Sequence, residues 1–291
     1  MKKLGLFLFI MALIVSCSAR QNATAVSNPK QANYIPYYLK VEQAKKLYTQ
    51  KENQKCFELL DSLFNQFKPI NTLFVDELEI YAELALERGK KDKLDAIVEI
   101  LISDYGYDVA DYEGELWENL RKQSQWSHGE LKNKYLVFRK NLNVGLRDSI
   151  IEIFKKDQSI RRMTKDEKKI DSVDRINEPY IVHFIKRYGY PDFRLVGGNG
   201  NNETISPAYL SVLLKHLSLP GAMELEPILL DEVKKGKCPR DIYAGMLDVH
   251  TAVLKQETPY TYLGTYKDYK PTDKAATNRA REKIGLPAIP F

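Results

Sequence analysis

The chain is poor in the residues from which most reaction centres are built. Its 291 residues contain four histidines and three cysteines, and none of them falls into a ligand spacing. There is no H-E-x-x-H and no cysteine pair, and Asp248-Val249-His250 is too little to hold an ion, so no metal is expected. A G-x-S-x-G elbow is missing, as is a cysteine next to a histidine in sequence, which removes the local signatures of the common nucleophilic hydrolases. The glycine-rich stretch from Val196 to Thr204 is not followed by G-K-[ST]. It reads as a polar turn and not as a phosphate cradle, and no cofactor is expected. Charge of neither sign dominates: 44 Lys and Arg face 39 Asp and Glu, interspersed throughout. That pattern describes a solvated surface, and no nucleic-acid partner is expected.

Long apolar runs are also missing, with one exception at the start. Lys2 and Lys3 precede an apolar stretch from Leu4 to Val15, too short to span a bilayer and of the form of an export signal. Ile14-Val15-Ser16-Cys17 resembles the lipobox of bacterial lipoproteins, which implies acylation of Cys17 and a membrane-lipid partner. Residues 1–16 are then the signal and residues 17–32, rich in Asn, Gln, Ser, Thr and Ala, a tether. Removal of the two lysines takes the formal charge from +5 to +3. The expected location is the cell envelope, lipid-anchored, with the leaflet open. Cys56 and Cys238 remain; that compartment permits a disulfide between them, but no spacing calls for one, and Cys56 sits on an apolar helix face.

From Tyr37 the apolar pattern is helical and repeats. A shift of 38 residues lays Ala44 on Ala82, Leu47 on Ala85, Cys56 on Leu94, Leu60 on Val98, Leu63 on Leu101 and Phe64 on Ile102. Polar breaks at Gln50 to Asn53 and Gly89 to Asp92 divide each copy into two helices. Residues 33–110 resemble hairpins of tetratricopeptide type, which implies a groove for a protein or peptide; a plain helical bundle is the other reading. Residues 111–145 form a helical connector, with Trp117 and Trp126 as packing anchors between the halves and His128 in a loop.

Residues 146–291 read as a second helical region, and its first segment, Asp157 to Pro191, concentrates the polar side chains. Asp157 and Arg161 are four apart and share a helix face. Thr164 and Glu167 fit a capping box, and Asp171, Asp174 and Asn177 follow on one face. Pro179 predicts a break near Asn177, and Gly189 and Pro191 end the next helix. His216 falls at the end of a helix starting at Pro207, where the helix dipole favours its cationic form. An extended segment fits best at Thr258 to Tyr266. Arg279, Arg281 and Lys283 are expected to be solvated.

Asp157-Gln158 with Arg161, Asp174 with Asn177, Gly189-Tyr190-Pro191, Gly197-Gly198, His216, Asp248, Tyr262 with Gly264-Thr265, and Arg281 with Ile284-Gly285-Leu286 occur in that order. The series resembles a bacterial family known only as a domain of unknown function, over roughly Leu146 to the C-terminus. The resemblance implies a shared fold and polar site, but no activity. The chain departs from the family at Tyr190, Val249 and Tyr266, where the family has Trp, Arg and Gln. Loss of that Arg weakens an anion-binding role at Asp248, unless His250 replaces the charge.

The sequence therefore predicts a mainly all-α protein, with hairpins packed on a helical C-terminal region and at most one short extended segment. Two functions stand side by side. One is a non-catalytic binding protein using the hairpin groove and a polar C-terminal site. The other is a hydrolase-type enzyme with His216 as base, Asp157, Asp174 or Asp248 orienting it, and Arg161, Asn177 and Thr265 binding the substrate, with Arg161 holding an anionic group. Convergence of these groups around an opening would favour a site, and burial without an opening would favour a structural network.

Overall fold

The computed structural model describes residues 33–72, 75–198, 207–253, 259–261, 271 and 273–290. Thirteen helices and no strand occur among them, so the fold is all-α. Cys17, Tyr262, Gly264, Thr265 and six of the nine residues of the proposed extended segment lie outside the described residues. Residues 32–291 form one compact unit.

The first two hairpins follow the apolar repeat. α1 (Ile35–Thr49) turns back into α2 (Asn53–Gln66), and α3 (Glu77–Glu87) into α4 (Lys91–Ser103). Ala44 and Ala82 are buried at equivalent places in the first helix of each pair. Their small side chains let Cys56 and Leu60 close onto one and Leu94 and Val98 onto the other, all fully buried. Cys56 and Cys238 are both buried and both free thiols.

α5 (Glu115–Gln123) and α6 (His128–Lys140) form the connector. His128 opens α6 instead of lying in a loop. Ser127 caps that helix in a reciprocal box with Glu130, an S-x-x-E signal that stabilises a helix start regardless of the following glycine. Trp117 packs on Tyr107 and Tyr112, and Trp126 lies under the Lys134 ammonium. The Trp117–Tyr107 contact holds the connector to the segment just past α4, and the Trp126–Lys134 contact lies within the connector.

α7 (Val144–Met163), α8 (Glu167–Tyr188), α9 (Phe193–Val196), α10 (Pro207–Lys215), α11 (Leu219–Lys234), α12 (Arg240–Val253) and α13 (Lys274–Lys283) complete the chain. α7 packs on α8 and α10, α8 on α11, and α12 on α10 and α11. Pro179 does not break α8, which runs through it for 22 residues. Arg175 and Pro179 are both exposed, so the carbonyl freed by the missing N–H meets water and the helix continues. The helix starts two residues later than the expected box: Asp166 is its N-cap and accepts from the Lys168 amide, while Thr164 ends α7 and accepts from the Asp166 amide.

Arg240 joins the two halves. It is 2% exposed, donates to the Gly285 carbonyl and the Glu42 carboxylate, and lies 5.1 Å from the centre of the Tyr38 ring. Tyr38 donates in turn to the Val233 carbonyl at 2.9 Å. Arg281, expected in solvent, is buried as well; it donates to the carbonyls of Tyr260 and Pro287, each at 2.7 Å. A planar guanidinium can satisfy several carbonyls at once, which is why an arginine tolerates this position.

Gly189 ends α8 at φ 73, ψ −160, a conformation open essentially to glycine alone. A Cβ there would sit 2.5 Å from the Glu232 carboxylate, which also accepts from the Tyr190 amide. Backbone strain of roughly 1–3 kcal/mol thus adds to displacement of Glu232. Gly189→Ala is expected to lose about 3 kcal/mol, read as a lower denaturation midpoint at unchanged slope.

Candidate functional site

The helices α7, α8 and α10 bring four polar side chains to one point. Asp157, on α7, is 1% exposed and forms the floor. Its Oδ1 lies 2.8 Å from His216 Nδ1 and accepts from an Arg161 terminal nitrogen at 2.7 Å. Its Oδ2 accepts from Gln158 at 2.7 Å. The other terminal nitrogen of Arg161 reaches both oxygens of Asp174, at 3.0 and 2.7 Å. His216, Arg161 and Asp174 keep 26%, 22% and 19% of their side-chain surface, so the cluster opens to solvent above a closed floor.

Local structure explains the assembly. Asp157 and Arg161 are one turn apart on α7, so the pair is set before any tertiary contact. Packing of α8 against α7 then places Asp174 on the far side of the same guanidinium. His216 lies just past the last residue of α10, and three contacts hold its segment. Its amide donates to Leu213 at 3.2 Å. Ser218, two residues on, caps α11 and is bonded through its amide and hydroxyl to Glu178 of α8. His250 of α12 places Nε2 3.3 Å from the Leu214 carbonyl.

The electrostatics follow from this geometry. Burial pushes the Asp157 carboxyl up, but the hydrogen bond and charge of His216, then Gln158 and Arg161, outweigh it and hold the group below its ordinary value. An ionised Asp157 can only accept, so His216 carries its proton on Nδ1 and leaves Nε2 as the ring's free position. Among the described residues Nε2 meets no hydrogen-bond partner. With neutral His216 the two carboxylates and one guanidinium sum to a single negative charge, and with the imidazolium to none.

Asn177 belongs to the same wall. It follows Asp174 by one turn on α8 and precedes Glu178, which holds the His216 segment. It is 4% exposed, yet its side-chain nitrogen has no partner among the described residues. An unpaired buried donor costs about 1–3 kcal/mol, and Asn177 carries that cost one turn along α8 from Asp174.

Donor atoms of Asp157, Asp174 and His216 lie within 4.8 Å of one another, close enough to share one divalent ion. The sequence gave no sign of this because the three residues lie on separate elements with no local spacing. The mixed nitrogen and oxygen set suits a transition metal more than calcium. Arg161 already spans the two carboxylates, however, so an ion would have to displace its guanidinium.

Asp248, on α12, is not among the three residues whose donor atoms meet within 4.8 Å. It is buried, and its Oδ1 accepts from the Tyr260 amide at 2.9 Å, while Arg281 holds the carbonyl of the same residue. Together they pin the chain just ahead of Tyr262. His250 supplies no charge at this turn: it is 5% exposed, and burial lowers its pKa. Glu178 and Gln158, neither of them singled out as site residues, position His216 and Asp157. Glu178 is legible afterwards as the partner that Ser218-Leu219-Pro220-Gly221 requires, since a Cβ at Gly221 would lie 2.8 Å from its carboxylate.

No family model, no curated protein and no solved structure matches the chain. The site is therefore judged on its own geometry.

His250 and Asp157 are both favoured deprotonated in the fold, so their contributions to stability have the same sign. The His250 pKa is depressed, so the unfolded chain binds more protons and stability falls as pH drops below about 6.5. Asp157, also depressed, contributes stability above its unfolded value that is lost only in acid, as pH falls through its lower folded value. His250→Gln, whose amide can still donate to Leu214, is expected to narrow its stability difference from wild type or reverse it between pH 7.5 and 5, measured by urea denaturation. An unchanged difference would contradict the neutral, buried assignment.

Proposed function

We propose that the chain is an envelope lipoprotein whose C-terminal region carries a hydrolase-type site with His216 as general base. The observation that carries this is the Asp157–His216 hydrogen bond, with the partly exposed Nε2 left free. A carboxylate on Nδ1 fixes the tautomer, orients the ring and stabilises the imidazolium that forms when Nε2 takes a proton. With no side-chain nucleophile beside it among the described residues, the proton comes from water or a substrate hydroxyl.

Arg161 has a different part from the one expected of it. Both its terminal nitrogens are held by carboxylates, so it braces Asp157 and Asp174 and is not offered to an anion. The residual negative charge disfavours phosphates and carboxylates as ligands and favours neutral, hydroxyl-bearing ones. Assembly of Asp157, Arg161, Asp174, Asn177 and His216 in one place also supports the resemblance to the domain family of unknown function, which supplies no reaction.

The binding-protein reading is favoured by a separate observation. α3 and α5 flank a groove of about 490 Å³ lined by Glu83, Glu87 and Glu115 over Leu86 and Leu116, with no lysine or arginine in its lining. Such a surface suits a basic peptide lying across hairpins of tetratricopeptide type. Anchoring rests on Lys2, Lys3 and the Ile14 to Cys17 motif; among the described residues no helix is long and apolar enough to cross a membrane.

A thermal-shift screen of neutral polyols, glycosides and esters and of divalent ions tests the site. A neutral ligand should raise the wild-type melting temperature, and His216→Ala should abolish that rise while leaving the unliganded protein folded. For any substrate found, His216→Ala should cut turnover by roughly 10²–10⁴-fold and Asp157→Asn should also reduce it. If a divalent ion alone gives the rise, and Asp174→Asn removes it, the cluster is a metal centre and the general-base reading fails.

A further inference from the structure

We infer that the outer face of the α7–α8 hairpin is a docking surface for an anionic phospholipid bilayer. The inference is independent of the polar site, which occupies the opposite, inward face of the same two helices. It also does not need acylation of Cys17, although a tethered body would meet such a surface often.

The hairpin's register defines the face. Arg161 against Asp174 fixes the pairing of the two helices. In an antiparallel hairpin the Arg161–Asp174 pair alone sets Ser159 across from Ile176. Helical spacing then places Lys156, Ser159 and Met163 along α7 beside Lys169, Ile176 and Tyr180 along α8. Three of these are large apolar side chains standing in water: Met163 is 80% exposed, Ile176 62% and Tyr180 63%. Burying them inside would have been easy, since Ile153, Ile181 and Phe184 on the same helices are buried.

What surrounds them decides the occupant. Between residues 155 and 176 the exposed charges are Lys155, Lys156, Arg162, Lys165, Lys168, Lys169 and Arg175 against Asp166, Glu167 and Asp171. Seven cations against three carboxylates leave four positive charges on one hairpin, more than the net charge of the whole chain after loss of Lys2 and Lys3. Several of the cations have long, flexible stems at the hairpin tip around Thr164, where they can reach a plane of phosphates. Apolar side chains ringed by lysine and arginine on a helical face match the interface of a bilayer, with the apolar atoms below the headgroups and the cations at them. A second copy of this chain meeting it with the same face would bring the same positive charge and be repelled.

The full chain reconstituted into vesicles tests this by amine-reactive labelling and mass spectrometry. In phosphatidylcholine with phosphatidylglycerol, Lys165, Lys168 and Lys169 should be labelled at least threefold more slowly than in phosphatidylcholine alone. Lys51, between α1 and α2, and Lys91, the first residue of α4, serve as references and should not change. Lys165→Glu with Lys168→Glu should remove the protection of Lys169, and so should Ile176→Ser with Tyr180→Ser, both variants retaining the wild-type melting temperature. Added inorganic phosphate should not reproduce the protection. Equal labelling in the two vesicle types would overturn the proposal. Protection that instead follows protein concentration, irrespective of lipid, would overturn it in favour of self-association.

Discussion

The buried carboxylate of Asp157 is the constraint on which the C-terminal half turns. Removing an ionised group from water costs several kcal/mol unless the surroundings return that hydration. Here the return comes from three directions: Gln158 from the next residue, Arg161 from the next turn, and His216 from a different helix. Only the first two are guaranteed by α7 itself. The third requires α10 to end where it does, and that end is held by Glu178 of α8 through Ser218 and by His250 of α12. Satisfying one oxygen pair thus involves four helices, and this accounts for polar residues within an otherwise apolar packing arrangement.

Arg161 illustrates why composition and spacing reach only part of such a site. Its pairing with Asp157 was readable because both lie on one helix at a four-residue interval. Its pairing with Asp174 depends on how α8 folds back on α7, which the sequence expresses only through apolar faces. The consequence reverses the role assigned to it, from a free cation awaiting an anion to a brace already neutralised on both sides. Asp248 shows the opposite limit. Read as part of the constellation, it instead secures Tyr260, because where a carboxylate points after a fold-wide packing step is not encoded in its neighbours.

The helical fold itself was more legible, for a physical reason. The 38-residue repeat places Ala44 and Ala82 where helices cross and Cys56, Leu60, Leu94 and Val98 where they fill the gap, and burial of apolar surface rewards that pattern directly. The misreadings fell where a local rule competes with context. Pro179 is a helix breaker when the carbonyl it frees is buried; on the exposed face beside Arg175 water takes the bond. His128-Gly129 reads as a loop until Ser127 and Glu130 are recognised as the stronger signal. Arg281 reads as a solvated charge because nothing near it in sequence announces the carbonyls of Tyr260 and Pro287.

The two faces of the α7–α8 hairpin are linked by this economy of charge. Inward, each charged group is matched: two carboxylates share one guanidinium and the remaining demand falls on a single imidazole. Outward, cations outnumber carboxylates and flank exposed Met163, Ile176 and Tyr180, which the core did not take. A hairpin serving only as packing would need neither the excess charge nor the exposed apolar side chains. Because the inner network fixes the register through Arg161 and Asp174, it also fixes which outer residues stand side by side. Weakening that brace would loosen both faces together, so the polar cluster is a structural prerequisite for the outer surface even though the two meet different chemistry.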